Sequence, residues 1–253
     1  MPVKLTPRLL TAARYVRGGL VADVGTDHAY LPIYLVETGR VAPTLTPTGE
    51  MLSAIASDIN EGPVERAAIH VAAAGLSDRI RTVRTDGLTG LDVHDPSDIV
   101  IFGMGGELIA AILAAAPWAR RPGKRLILQP MTHADRLRAY LDDAGLSVVA
   151  ETLSAEGERI YQTLCVEVRA PGDAITPHTP GERAVGRLCH RAGDAEQMGL
   201  CRALIDKTLR TETAARDARR AAGQAVDESD ALIASLRAML TQIEYDQEGS
   251  HHD

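Results

Sequence analysis

Residues 20–28, Leu20-Val21-Ala22-Asp23-Val24-Gly25-Thr26-Asp27-His28, decide the fold class. A short apolar run ends on an acid and a glycine, then passes through a polar turn into the helix-like run Ala29 to Glu37. This is the pattern of a buried strand feeding a crossover helix. In an open α/β sheet, ligands bind beyond the carboxyl ends of such strands. A glycine there lets the backbone approach a ligand closely, and the following helix offers unpaired N–H groups. Asp23 and Gly25 are therefore the first candidate site residues.

Outward from this stretch, Thr6 to Val16 reads as a short helix that Gly18-Gly19 breaks. Further strands are expected at Ala54–Ser57, Ile80–Arg84, Ile99–Phe102 and Arg125–Leu128, alternating with helices at Val64–Ala74, Leu108–Ala115 and Ala134–Ala144. Such alternation implies right-handed crossovers and a mostly parallel sheet. Ser147–Leu153 and Arg159–Val168 are then joined by a connector too short for a crossover helix, which makes them an antiparallel hairpin. Parallel units closed by a hairpin are the strand arrangement of the class I, Rossmann-like methyltransferases.

Two stretches interrupt this pattern. Residues 42–52 hold two prolines, three threonines and a glycine, and read as an irregular surface loop rather than a lid. Ala170 to Gly181 reads as a linker, dividing the chain into a domain at 1–170 and an extension at 171–253. Within the extension, Glu182–Ala222 and Ser229–Ile243 are helical, and Gly223 between them suggests an antiparallel helical hairpin. Leu232, Leu236, Met239 and Ile243 repeat at four-three-four spacing, a coiled-coil-like seam.

Composition narrows the function classes. The 253 residues carry a formal charge of -7, so any nucleic-acid contact must use local basic patches. Aromatic residues make up only 3%, which leaves Ala, Val, Leu and Ile to fill the core. Cys165, Cys189 and Cys201 form no CxxC pair, so neither a disulfide framework nor a zinc site is expected. No window resembles a membrane span. A cytoplasmic protein without a metal follows, with a monomer favoured and no metal role for the terminal His251 and His252.

The later strand ends carry groups of their own. Asp58 closes the second parallel strand, where a carboxylate accepts from both hydroxyls of a ribose. Asp86-Gly87 follows the third, where an acid meets an adenine amino group and the glycine leaves room for the ring. Gly103-Met104-Gly105-Gly106 follows the fourth, facing a methyl donor. Dinucleotide binding needs G-x-G-x-x-G, whereas this turn holds only Gly25, and Asp27 would repel a pyrophosphate while attracting the amino group of a methionine moiety. The order points to S-adenosylmethionine.

The strings Asp23 to Pro32, Ala54 to Pro63, Thr85 to Leu88, Ile101 to Ile109 and Leu126 to Met131 resemble the bacterial tRNA adenine-N1 methyltransferases of the TrmK type, which modify adenine 22. The resemblance covers most of residues 5–168; the 42–52 insertion departs from its motif pattern, and residues 170–253 match in helical character alone. It implies a Rossmann-like catalytic domain with a coiled-coil-like helical extension. It also assigns Gly25, Asp27, His28, Asp58, Ile59, Asp86 and Gly87 to the S-adenosylmethionine pocket, with Gly103 to Gly106 bordering the target base. Arg8, with Arg14 and Arg17, is expected near the mouth to touch tRNA.

The chain has no N/D-P-P-Y string of the kind used on exocyclic amines, and Gly103 to Gly106 take its place. That suits a ring nitrogen, whose lone pair attacks without prior loss of a proton. Asp27 and His28 are the catalytic candidates, Asp27 as a stabiliser of the developing positive charge. Two other readings stay open, a class I methyltransferase with another substrate and a non-catalytic RNA-binding module.

Overall fold

The computed structural model describes residues 3–168, 176–187 and 194–249. The central element is β1 (Val21–Val24), buried at every position. β4 (Ala54–Asp58) and β6 (Asp98–Gly105) flank it in parallel, β5 (Ile80–Arg84) lies outside β4, and β7 (Arg125–Thr132) lies outside β6. The hairpin β8 (Ser147–Glu156) and β9 (Arg159–Glu167) completes the sheet in the order β5-β4-β1-β6-β7-β9-β8, with β9 antiparallel to β7. The expected architecture is therefore present.

Strand alternation explains the layers. Ala22 and Val24 face a cluster with Leu113 of α4 (Gly106–Ala115) and Leu137 and Leu141 of α5 (Ala134–Asp143). Val21 faces the opposite cluster, with Ala12 of α1 (Pro7–Tyr15), Leu31 and Leu35 of α2 (Tyr30–Glu37), and Ala67 and Val71 of α3 (Glu61–Ala73). Both faces are covered, as a parallel sheet requires. Aliphatic side chains fill both clusters, with Phe102 contributing one ring.

Residues 42–52 correct one expectation. Thr44–Leu45 and Met51–Leu52 pair as a two-stranded antiparallel hairpin, β2 and β3. The threonines make it regular: Thr46 Oγ donates to the Glu50 carbonyl at 3.1 Å and accepts from the Glu50 amide at 3.1 Å. Because β3 leads directly into the amino end of β4, this hairpin sits at the opposite edge of the sheet from the carboxyl-end loops. It is not a lid.

The extension is corrected too. The expected helix over 182–222 is broken, with α6 (Pro180–Val185) ending at Gly186, whose φ is +85°, and α7 (Ala195–Ala221) following. Residues 169–175 of the linker, and Cys189 with residues 188–193, lie outside the described residues. α8 (Asp227–Gly249) packs back on α7, and Leu236, Met239 and Ile243 of the seam bury against Met198, Cys201 and Ile205. Val185 of α6 and Leu153 of β8 join that cluster, so the hairpin is seated on the sheet.

Cys165 is a buried free thiol, and Cys201 is buried as well. Burial pushes the Cys165 thiol up to about 11, which makes it inert at neutral pH. Among the described residues no helix is long and apolar enough to cross a membrane.

Candidate active site

The carboxyl ends of β5, β4, β1 and β6 are neighbours in that order. The sheet therefore sets Asp86-Gly87, Asp58, Gly25 and Gly103 to Gly106, which form the end of β6 and the start of α4, side by side along one edge. Strand order reverses at the β1–β6 boundary, the switch point at which open α/β sheets bind ligands.

At the centre, Gly25 adopts φ +79°, and its amide donates to the Ser57 carbonyl at 2.8 Å. A Cβ built there would stand 2.3 Å from Met104 Cε. The turn is a cradle that only glycine fits. Met104 thus reaches across from the end of β6 to β1, where a bulge in the β6–β7 pairing re-aims the strand. Asp23 lies buried two residues back, and burial raises its carboxyl to about 6, opposed by a hydrogen bond from Thr26.

Asp58 spends one carboxylate oxygen on Asn60, accepting from the backbone amide at 2.7 Å and from Nδ2 at 3.1 Å. The other oxygen makes no hydrogen bond among the described residues. Ile59 beside it is 54% exposed, an apolar side chain at the strand end. Asp86 is exposed, and Gly87 has φ +56° with a Cβ position only 3.1 Å from Ile112. A cavity of about 480 Å³ opens between this turn and α4.

Asp27 is exposed but engaged. Arg66 of α3 grips it, donating from Nε at 3.1 Å, and His28 Nε2 lies 3.2 Å from its other oxygen. The Arg66 hydrogen bond, aided by the charges of His28, Arg66 and His70 against a small cost of burial, holds the Asp27 carboxyl below its ordinary value. His28 stacks on Tyr30 at 5.0 Å and meets His70 at 5.1 Å, while its Nδ1 is buried with no hydrogen-bond partner among the described residues. Since His70 Nδ1 contacts the His28 carbonyl at 3.1 Å, it must be the donor. Sequence reading missed Arg66 and His70, because they come from α3 and carry no motif of their own.

The basic residues separate along α1. Arg8 stands at the mouth: its guanidinium lies 3.8 Å from the Cβ position of Gly103, donates to Gln129 Oε1 at 3.2 Å, and covers the Tyr161 ring at 5.5 Å. Arg14 is exposed a turn and a half further on. Arg17 corrects the expectation. It clamps the buried Asp98 at the amino end of β6, with contacts to the Ser97 and Gly123 carbonyls at 2.8 and 3.0 Å. That is the far edge of the sheet, away from the mouth.

The β6–α4 and β7–α5 junctions close together here. Gly106 opens α4 against the backbone of His133, whose φ is +53°. A Cβ on Gly106 would stand 2.1 Å from the His133 carbonyl oxygen.

Comparison with known proteins places these features. Residues 5–164 match the family described as "Methyltransferase domain". The tRNA (adenine(22)-N(1))-methyltransferase of Bacillus subtilis is 36% identical over 166 residues, 65% of this chain and 66% of that protein, just under two thirds of its length. The crystal structure of the B. subtilis m1A22 tRNA methyltransferase TrmK superposes with a TM-score of 0.71 at 27% identity, covering 96% of this chain and 99% of that one. A Streptococcus pneumoniae structure in complex with S-adenosyl-L-methionine gives 0.72 at 29% identity, with coverage of 96% and 99%.

Proposed function

The chain belongs to the methyltransferase-domain family, and from that premise we propose that it is of the TrmK type and methylates N1 of adenine 22 in tRNA, using S-adenosylmethionine. One observation carries this reading most. The glycine cradle at Gly25, the half-free Asp58, the Asp86-Gly87 turn and Gly103 to Gly106 stand on neighbouring strand ends in the order that a methionine–ribose–adenine ligand needs. Residues 1–170 form the catalytic unit in this reading, and residues 171–253 hold the tRNA. In this reading the protein works in the cytoplasm.

The residues present fit the cofactor. The Gly25 turn would face its methionine portion, with the flexible end of Met104 swung aside, the free oxygen of Asp58 would accept from the ribose, Ile59 and Gly87 would flank the adenine, and Asp86 would receive the adenine amino group. His28 Nδ1, buried and unpartnered among the described residues, accepts a hydrogen bond from an amino group when Nε2–H is turned to Asp27. When bound, S-adenosylmethionine supplies an electrophilic methyl group. Adenine N1 attacks through its in-plane lone pair, so the chain need not remove a proton. Its task is alignment of nucleophile and methyl, together with a field that tolerates the cationic product. Asp27 and His28 serve that task, with Asp27, tied to Arg66, acting mainly as the anchor of the β1 loop on α3.

Asp23 gives a pH signature. Its raised folded-state value means the free protein binds a proton near pH 6 that a cationic ligand expels. Affinity for S-adenosylmethionine is expected to rise with pH through about 6 and level off above it. Calorimetry at pH 5.5 and 7.5 should show a several-fold gain, since one proton changes affinity by at most about tenfold for each pH unit. Asp23→Asn should flatten the profile; an unflattened one would assign the proton elsewhere. The function itself is tested by transfer of labelled methyl to an unmodified tRNA transcript. Incorporation should vanish when adenine 22 is replaced by guanine, and persistence in that transcript would refute the assignment.

A further inference from the structure

The turn after β1 holds a backbone reversal at Ala29, which has φ +54° and ψ +24° and is fully buried. That left-handed conformation is costly for a residue with a Cβ and persists only where its surroundings hold it. Here the Ala29 amide donates to Thr26 Oγ at 3.1 Å. The reversal brings His28 and Tyr30 ring on ring, with their planes at 16°. His70 of α3 closes the third side, 5.1 Å from His28 and 5.3 Å from Tyr30, and donates to the His28 carbonyl. Neighbouring rings thus set the plane of His28.

A longer chain of contacts sets its proton. Nε2 lies 3.2 Å from Asp27 Oδ2, and a carboxylate only accepts, so Nε2 carries a hydrogen. In the neutral ring Nδ1 is then an acceptor, and it is buried with no partner among the described residues. Asp27 is held on its other oxygen, Oδ1, by Nε and a terminal nitrogen of Arg66. Arg66 reaches it because side chains on α3 lean toward the helix N-terminus. Its guanidinium runs back past Gly62, one turn earlier, where a Cβ would stand 3.4 Å away.

Resting on the cofactor reading above, we propose that Arg66 is a positioning residue. Through Asp27 it fixes the Nε2–H tautomer of His28, and so keeps Nδ1 as the acceptor for the amino group of S-adenosylmethionine. Magnitudes separate this role from a structural one. The Arg66 and Asp27 side chains are 48% and 59% exposed, and an exposed ion pair adds little stability. His28 Nδ1 is buried, where meeting a donor or missing one matters far more. The sign is decided as well. If Asp27 were the direct partner of the amino group, removing Arg66 would free its carboxylate and tighten binding. Acting through His28, the same change weakens it.

The test reads the tautomer first. Nitrogen-15 spectra of histidine-labelled protein, without ligand and at about pH 8, lie above the ordinary imidazole range. An acceptor nitrogen resonates well apart from one that carries a proton, and the His28 signals are assigned by their loss in His28→Ala. Nδ1 should be the acceptor in the wild type, and the two shifts should converge in Arg66→Met as the tautomers mix. Calorimetry then compares two ligands. S-adenosylmethionine should bind Arg66→Met about tenfold more weakly, as expected for losing a hydrogen bond to a charged group. 5′-Methylthioadenosine, which has no amino group, should bind both proteins alike, and the melting temperature should not change. A wild-type tautomer in Arg66→Met, unchanged or tighter S-adenosylmethionine binding, or an equal loss for both ligands would overturn the proposal. Failure of the wild-type protein to bind S-adenosylmethionine would refute the cofactor reading instead, so the two failures are distinguishable.

Discussion

Gly106→Ala is expected to lower kcat by about two orders of magnitude, because a displacement of about 1 Å in a reacting geometry costs that much. The added methyl would stand 2.1 Å from the carbonyl oxygen and 2.8 Å from the carbonyl carbon of His133, and 3.1 Å from the Thr132 oxygen. All of these are backbone atoms, so no side chain can swing aside. The β6–α4 and β7–α5 junctions must move apart, and in the proposed function they border the transfer site. Overpacking of this kind also destabilises by about 1–3 kcal/mol. Gly199→Ala, which meets nothing within 4 Å in the exposed interior of α7, should by contrast stabilise the chain by about 1 kcal/mol. Single-turnover methylation at saturating substrate, with thermal melting of both variants, reads the difference. A Gly106→Ala enzyme with wild-type kcat would show that the two junctions do not set the transfer geometry.

Arg138→Met is expected to cost about 3–5 kcal/mol of stability, the usual penalty for leaving one partner of a buried ion pair behind. Arg138 is only 1% exposed. It donates to Glu151 from Nε at 3.0 Å and from a terminal nitrogen at 2.6 Å, and also to Gln162 and to the Arg183 carbonyl. Burial pushes the Glu151 carboxyl up, but the charge of Arg138, the Arg187 amide and the Arg138 hydrogen bonds outweigh it and leave the carboxyl below its ordinary value. In the wild type that stabilisation is present above the ordinary carboxylate range and is lost as pH falls through the lowered value. Without Arg138 the sign inverts: Glu151 binds a proton more readily when folded, so the variant should be less destabilised at pH 5 than at pH 8. Urea unfolding at both pH values measures this. Arg138→Met with Glu151→Leu should recover much of the loss. A single variant as stable as wild type at pH 8 would show that the pair does not hold α6 in place.

That pair also explains why the helical extension was only partly legible in the sequence. Gly186 packs against it, with a Cβ position 2.7 Å from Glu151 Oε2 and 2.9 Å from an Arg138 nitrogen. The helix expected over 182–222 breaks there because of a contact with β8 and α5, which periodicity cannot report. The threonine-rich stretch 42–52 folds back on itself through side-chain hydrogen bonds that its composition does not signal. By contrast, β1 and its turn were readable because the requirement is local: a fully buried strand, then a glycine at positive φ. The order of Asp58, Asp86 and Gly103 to Gly106 was readable for the same reason, since each closes its own strand. What surrounds them was not. Arg66 reaches Asp27 from α3, and Gln129 meets Arg8 across the sheet. Arg17 looked like a surface cation at the mouth, yet the buried Asp98 draws it to the opposite edge.

In the proposed function this arrangement directs a methyl group to a ring nitrogen of one tRNA adenine. The most direct test incubates the protein with S-adenosylmethionine and an unmodified tRNA transcript, digests the RNA, and identifies and maps the methylated nucleoside by mass spectrometry. The expected product is 1-methyladenosine at position 22. A methyl group on an exocyclic amine, on another nucleotide, or on no nucleoside at all would contradict it.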